Sequence, residues 1–105
     1  VSGLWEDGRI GTFRGIRSGK SDYGGTVFGE KGIAVLGKYS GYNPLLLEII
    51  RFFDTGIPRV SRDETLEIFT FMAAADESKI KGGIPVDTAR VIEKAMKKAS
   101  KIKFV

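Results

Sequence analysis

Eleven of the chain's 14 glycines lie within its first 41 residues, out of 105 in all. No other feature limits the fold as much. Glycine weakens a helix interior by about 1 kcal/mol relative to alanine, so no long helix is expected over that stretch. After Asn43, strong helix formers dominate. The chain therefore reads as strands first and helices later. That order favours an α+β fold with an antiparallel sheet over alternating βαβ units.

The glycine-rich part carries two hairpin signals. Leu4 to Glu6 and Arg9 to Arg17 flank Asp7-Gly8, a dipeptide suited to a two-residue turn with positive φ at both positions. In the second run Ile10, Thr12, Arg14 and Ile16 alternate with Gly11, Phe13, Gly15 and Arg17. Two glycines on one side suggest close approach by another backbone or a ligand, or a bulge. Ser18 to Gly25 reads as a polar loop. Thr26 to Gly29 and Ile33 to Lys38 flank Glu30-Lys31-Gly32, the second hairpin. The expectation is an antiparallel sheet of about four strands within residues 2–38.

Three helices are expected next, over about residues 44–54, 62–81 and 87–101. Asn43 suits an N-cap and Pro44 the first helical position, where its missing N–H costs nothing. Leu45, Leu46, Leu47, Ile49, Ile50, Phe52 and Phe53 leave only Glu48 and Arg51 polar, so this helix is expected to be nearly surrounded. Ser61 and Glu64 form a capping box for the second helix. Leu66, Ile68, Phe69, Met72, Ala73 and Ile80 are its expected core side, and Gly82-Gly83 and Pro85 stop it. Asp87 caps the third helix. Ile92, Ala95, Met96, Ala99 and Ile102 line one side of it, and Arg90, Lys94, Lys97, Lys98 and Lys101 the other.

Composition excludes several chemistries. The chain has no cysteine and no histidine, which removes thiolate catalysis, a histidine base and any Cys/His metal centre. At 42% hydrophobic and 29% charged residues it has the make-up of a globular protein. Its length suits a single domain spanning residues 1–105. No apolar run approaches the roughly 20 residues of a membrane span, so no membrane partner is expected. The net charge of +4 is concentrated at the end: residues 1–43 sum to +2, 44–83 to −2 and 84–105 to +4. The opening Val1 to Gly8 reads as if it begins inside a strand, which suggests a piece of a longer chain.

Candidate sites are few. Ser18-Gly19-Lys20-Ser21 resembles the end of a phosphate-binding loop. Arg14 stands where the first glycine of that pattern belongs, and no helix is expected to follow. No Gly-x-Gly-x-x-Gly occurs, so no dinucleotide fingerprint is present. The lysine-rich last helix could serve an anionic partner as a small basic binding module, or simply be a solvated face. Its lysines do not alternate with aromatics, so no nucleic-acid partner is expected. Lys38, Tyr39 and Tyr42, at the junction of sheet and helix, are the candidate ligand-binding residues. Phe52, Phe53, Phe69 and Phe71 are expected in the core. No residue is singled out as catalytic.

A resemblance runs through Tyr42 to Val86. An apolar helix closes in Phe52-Phe53-Asp54-Thr55-Gly56-Ile57-Pro58. Val60-Ser61-Arg62-Asp63-Glu64 follows, then Ala74-Ala75-Asp76-Glu77-Ser78, then Gly82-Gly83-Ile84-Pro85-Val86. This succession resembles the close of the C-terminal domain of Gfo/Idh/MocA-type oxidoreductases. The resemblance implies a parent protein with an N-terminal Rossmann domain, absent here, that binds NAD or NADP. It implies an open, mainly antiparallel sheet in the C-terminal domain, which contributes to the pocket for a sugar, polyol or related substrate. It also implies a homodimer formed through the sheet face. The family's Glu-Lys-Pro catalytic motif and accompanying histidine have no counterpart in this sequence. No catalytic residue carries over, and the chain by itself is expected to bind no cofactor and to be inactive. The cytoplasm is the expected compartment, with the periplasm the alternative should the full-length chain carry a leader.

Overall fold

Gly8, with φ of +85°, closes the first turn of the chain. The computed structural model describes residues 1–20 and 22–102. Its elements are β1 (Ser2–Leu4), β2 (Ile10–Thr12), β3 (Gly25–Gly29), β4 (Gly32–Leu36), α1 (Asn43–Thr55), α2 (Arg62–Ile80) and α3 (Thr88–Ala99). The fold is α+β, with all strands before all helices. The strands do not form one sheet of four. They pair as two separate two-stranded antiparallel sheets, β1 with β2 and β3 with β4. The second expected strand ends early: its pairing runs out at Phe13, whose backbone exchanges hydrogen bonds with Val1.

The chain divides into two compact units. One joins Val1–Phe13 to Val60–Val105, and the other is Arg14–Arg59.

In the first unit, β1 and β2 pair with Gly3 opposite Gly11. The connection is one residue longer than the Asp-Gly turn expected. The Gly8 N–H bonds to the Trp5 carbonyl at 3.0 Å and the Trp5 N–H to the Arg9 carbonyl at 2.9 Å. Of Glu6, Asp7 and Gly8 only the glycine has positive φ. This is a three-residue loop in which glycine takes the left-handed position. Asp7 braces it, accepting from the Arg9 backbone N–H and side chain.

The paired glycines make room for the Trp5 indole. A Cβ on Gly3 would stand 3.0 Å from Phe71 and 3.1 Å from Trp5, and one on Gly11 would stand 3.0 Å from Trp5. So the close approach foreseen at Gly11 is that of an aromatic ring. The indole stacks on Phe71 of α2, centroids 6.3 Å apart, and its Nε1–H donates to Glu67 at 2.8 Å.

Ser61 caps α2, its hydroxyl accepting from the Glu64 N–H at 3.0 Å. The inner side of α2 is not the one expected. Leu66, Thr70, Phe71, Ala74, Ala75 and Ser78 are covered, wholly or in part. Ile68, Phe69, Met72 and Ile80 are exposed. Apolar residues surround this helix, so periodicity could not choose between its two sides. Ala74, 7% exposed, is the one buried hydrophobic residue among the described residues. Gly82 and Gly83, both with positive φ, end the helix, and the Ser78 hydroxyl ties the exit down by donating to the Ile84 carbonyl at 2.7 Å.

Asp87 caps α3 by accepting from the Ala89 N–H at 2.9 Å. Only Val91 and Ile92 of α3 are half-covered; Met96 and Ile102 are exposed. Glu77 of α2 bridges to Arg90 of α3 and to Lys81, 2.6 Å away.

In the second unit, β3 and β4 pair from Gly25 opposite Leu36 to Gly29 opposite Gly32. Glu30 and Lys31 form the turn. α1 begins one residue earlier than expected, with Tyr42 rather than Asn43 at the N-cap and no side-chain cap bond. Gly56 ends it in the left-handed conformation, its N–H on the Phe52 carbonyl at 2.7 Å. Glu48 on α1 gathers Arg51 and Arg59 at 2.7 and 2.9 Å. The expectation of a nearly surrounded helix fails here. No residue of α1 is buried, and Leu45, Leu46, Leu47, Ile50 and Phe53 are exposed. Phe52, Phe53 and Phe69, expected in the core, lie open as well.

Candidate functional site

β4 ends at Leu36, and six residues carry the chain from there to α1. Gly41, with φ of +91°, supplies the bend. Lys38, Tyr39 and Tyr42 all lie in this connection, as the sequence suggested. Tyr39 and Tyr42 come together, ring centroids 5.6 Å apart and planes at 79°. Lys38 is exposed and makes no hydrogen bond or ion pair among the described residues.

A further tyrosine joins them. The Tyr23 ring lies 5.8 Å from that of Tyr39, with planes at 54°. Sequence reading missed it because it sits 16 positions before Tyr39, in what reads as a loop. A signal was nonetheless present. Carrying the β3–β4 register two residues past Gly25 and Leu36 sets Tyr23 opposite Lys38, beside Tyr39. A hairpin brings together the residues that flank its two outer ends.

The three rings remain accessible: Tyr23 is 77% exposed, Tyr39 53% and Tyr42 69%. Desolvation raises the pKa of the Tyr39 phenol, and hydrogen bonding with Tyr42 and the proximity of Tyr23 raise it further. At neutral pH the phenol is therefore protonated and able to donate a hydrogen bond. The cluster offers tilted aromatic faces and hydroxyls, and Lys38 precedes Tyr39 in the chain. These groups can stack on a ligand and hydrogen-bond to it.

Two other hollows lie in the first unit. One, of about 570 Å³, runs between β1 and residues 83–86 over Phe71, Ala74 and Ala75. Of its two hydroxyls, those of Ser2 and Ser78, the second is already engaged by Ile84. The other, of about 280 Å³, lies between α2 and α3 beside Asp63, Glu67 and Thr70. Glu67 is held there by Trp5. Among the described residues no group of three or more acidic side chains is placed to hold a metal ion.

The phosphate-loop resemblance gains no support. Gly19 turns with φ of +86°, the chain runs on to β3 without a helix, and Ser21 lies outside the described residues. On α3, Arg90 and Lys97 are taken up by Glu77 and Glu93. No helix among the described residues is long and apolar enough to cross a membrane. Comparison with protein-family models, with curated proteins and with solved structures finds no match to this chain.

Proposed function

We propose that this chain is the C-terminal, substrate-side and oligomerisation domain of an NAD(P)-dependent oxidoreductase of the Gfo/Idh/MocA type. The observation that carries the reading is the uncovered apolar surface. α1, the outward side of α2 and both strands β3 and β4 carry exposed large hydrophobics, and among the described residues only Ala74 is buried. A domain that works against other parts of a larger assembly has such surfaces; a self-sufficient small protein covers them. The succession that resembles the family also falls at structural joints. Phe52 to Pro58 spans the end of α1, Ser61 to Glu64 the start of α2, and Gly82 to Val86 the exit from α2.

On this reading the two short sheets are parts of one larger open sheet, completed by strands that this chain lacks. Their free edges pair with those strands, and the sheet face meets a second copy. Lys38, Tyr39 and Tyr42 contribute to the pocket for a sugar, polyol or related compound. Hydride chemistry and cofactor binding belong to the Rossmann domain.

The decisive experiment is to read the coding sequence upstream of Val1. A strand followed by Gly-x-Gly-x-x-Gly, with Glu-Lys-Pro further on, is the expected result. An upstream frame without them removes the reading. In solution, titration of the 105-residue chain with NAD and NADP should give no specific heat. Tight binding of either would contradict the assignment.

A further inference from the structure

Tyr23 has no evident work to do for the fold. Its ring is more than three-quarters exposed, and its backbone N–H is satisfied locally by the Asp22 carboxylate at 2.8 Å. A tyrosine that stabilised the core would bury most of its ring. Yet the β3–β4 hairpin brings it against Tyr39, which in turn meets Tyr42. The two interplanar angles, 54° and 79°, fan the rings rather than stacking them. Faces of different orientation are thus displayed side by side, each with a hydroxyl at its rim.

We infer that Tyr23 is a ligand-contacting residue, completing with Tyr39 and Tyr42 a stacking surface for a polyhydroxylated saturated ring. The inference rests on the assignment of Lys38, Tyr39 and Tyr42 to a ligand pocket made above. The aromatic face carries negative charge density and attracts the weakly positive C–H face of such a ring. The phenol hydroxyls suit its hydroxyls.

The test is saturation-transfer NMR on the 105-residue chain, irradiating the tyrosine ring protons. The probes are methyl α-glucopyranoside and myo-inositol, with adenine as the flat comparison. Transfer to the C–H protons of at least one of the two polyols is expected, together with shifts of the Tyr23 ring signals during titration. Tyr23→Ala should cut the transfer at least threefold, and Tyr23→Phe should retain more of it. Phe53→Ala, which removes an exposed ring elsewhere on the same unit, should leave it unchanged. Should Tyr23→Ala fail to fold, the Tyr23 ring shifts in the unaltered chain decide the matter. Transfer that survives Tyr23→Ala, with Tyr39→Ala abolishing it, overturns the role of Tyr23 and spares the pocket. Transfer to adenine alone overturns the ligand class. No transfer to any probe overturns both.

Discussion

Gly3 lies between two aromatic rings, and that position fixes what substitution there will do. A side chain would meet Phe71 and Trp5 at about the closest approach atoms allow. Gly3→Val should therefore destabilise the first unit by about 1–3 kcal/mol, the usual cost of overpacking. A lower urea midpoint followed by Trp5 fluorescence would show it; an unchanged midpoint would mean that the indole is not seated on the glycines.

Glu77 gives a second test at this scale. Hydrogen bonds from Lys81 and then Arg90 lower its pKa from 4.5 to about 2. The folded carboxylate thus holds its charge to lower pH than the unfolded one. Its contribution is complete above about pH 4.5 and fades as the pH falls towards 2. Glu77→Gln should flatten the loss of helical circular dichroism across that window. An identical acid profile would show that the bridge does not couple α2 to α3.

Among the elements, α2 shows most clearly what periodicity could and could not decide. Its ends were legible because local chemistry sets them. Ser61 was readable as a cap, and Gly82-Gly83 as a stop. Asp87 was equally readable at the start of α3. The buried side of α2 was not, since Ile68, Phe69 and Met72 compete with Leu66, Phe71 and Ala74 for the inside. Tertiary contact with Trp5 settles it, and Trp5 lies more than 60 positions away in the chain.

The same applies to the strands. Both hairpins were visible in their turn residues, but whether two hairpins share a sheet depends on edges that local sequence does not describe. Of the candidate site, Lys38, Tyr39 and Tyr42 were legible as polar groups at a junction. Tyr23 needed the hairpin register as well. The outward side of α2 makes its own prediction. Ile68→Ser and Phe69→Ser should change monomer stability by less than about 0.5 kcal/mol, as exposed positions do. If this side meets a partner, the same changes should weaken self-association in sedimentation; unaltered association would clear α2 of that role.

For the whole molecule, the area facing water is the telling quantity. The chain exposes 10182 Å². A folded monomer of 11.5 kDa is expected to expose about 5,800 Å². Two separate compact bodies with the lengths of the two units would together expose about 7,000 Å². An excess of roughly 3,000 Å² therefore remains even with the units counted apart. That is several times the roughly 800 Å² that each partner contributes to a standard interface. The chain should bind a hydrophobic dye such as ANS strongly, and its sedimentation coefficient should rise with concentration. A monomer that stays dark with the dye at every concentration would mean that the apolar surfaces find cover within a single copy.

The first unit is split along the chain, with Arg14–Arg59 set between its two parts. This arrangement dictates an order of events during synthesis. The β1–β2 hairpin leaves the ribosome before α2, and until Glu67 and Phe71 have emerged the Trp5 indole has only Arg9 of its own hairpin over its ring. Over that interval the indole is exposed while the apolar α1 is being made. Closing so long a loop is also among the slower steps of a small protein's folding. As the sole tryptophan, Trp5 is in effect a clock. Its emission should shift late, after the helical signal has formed, and so mark the moment at which the two ends of the unit meet.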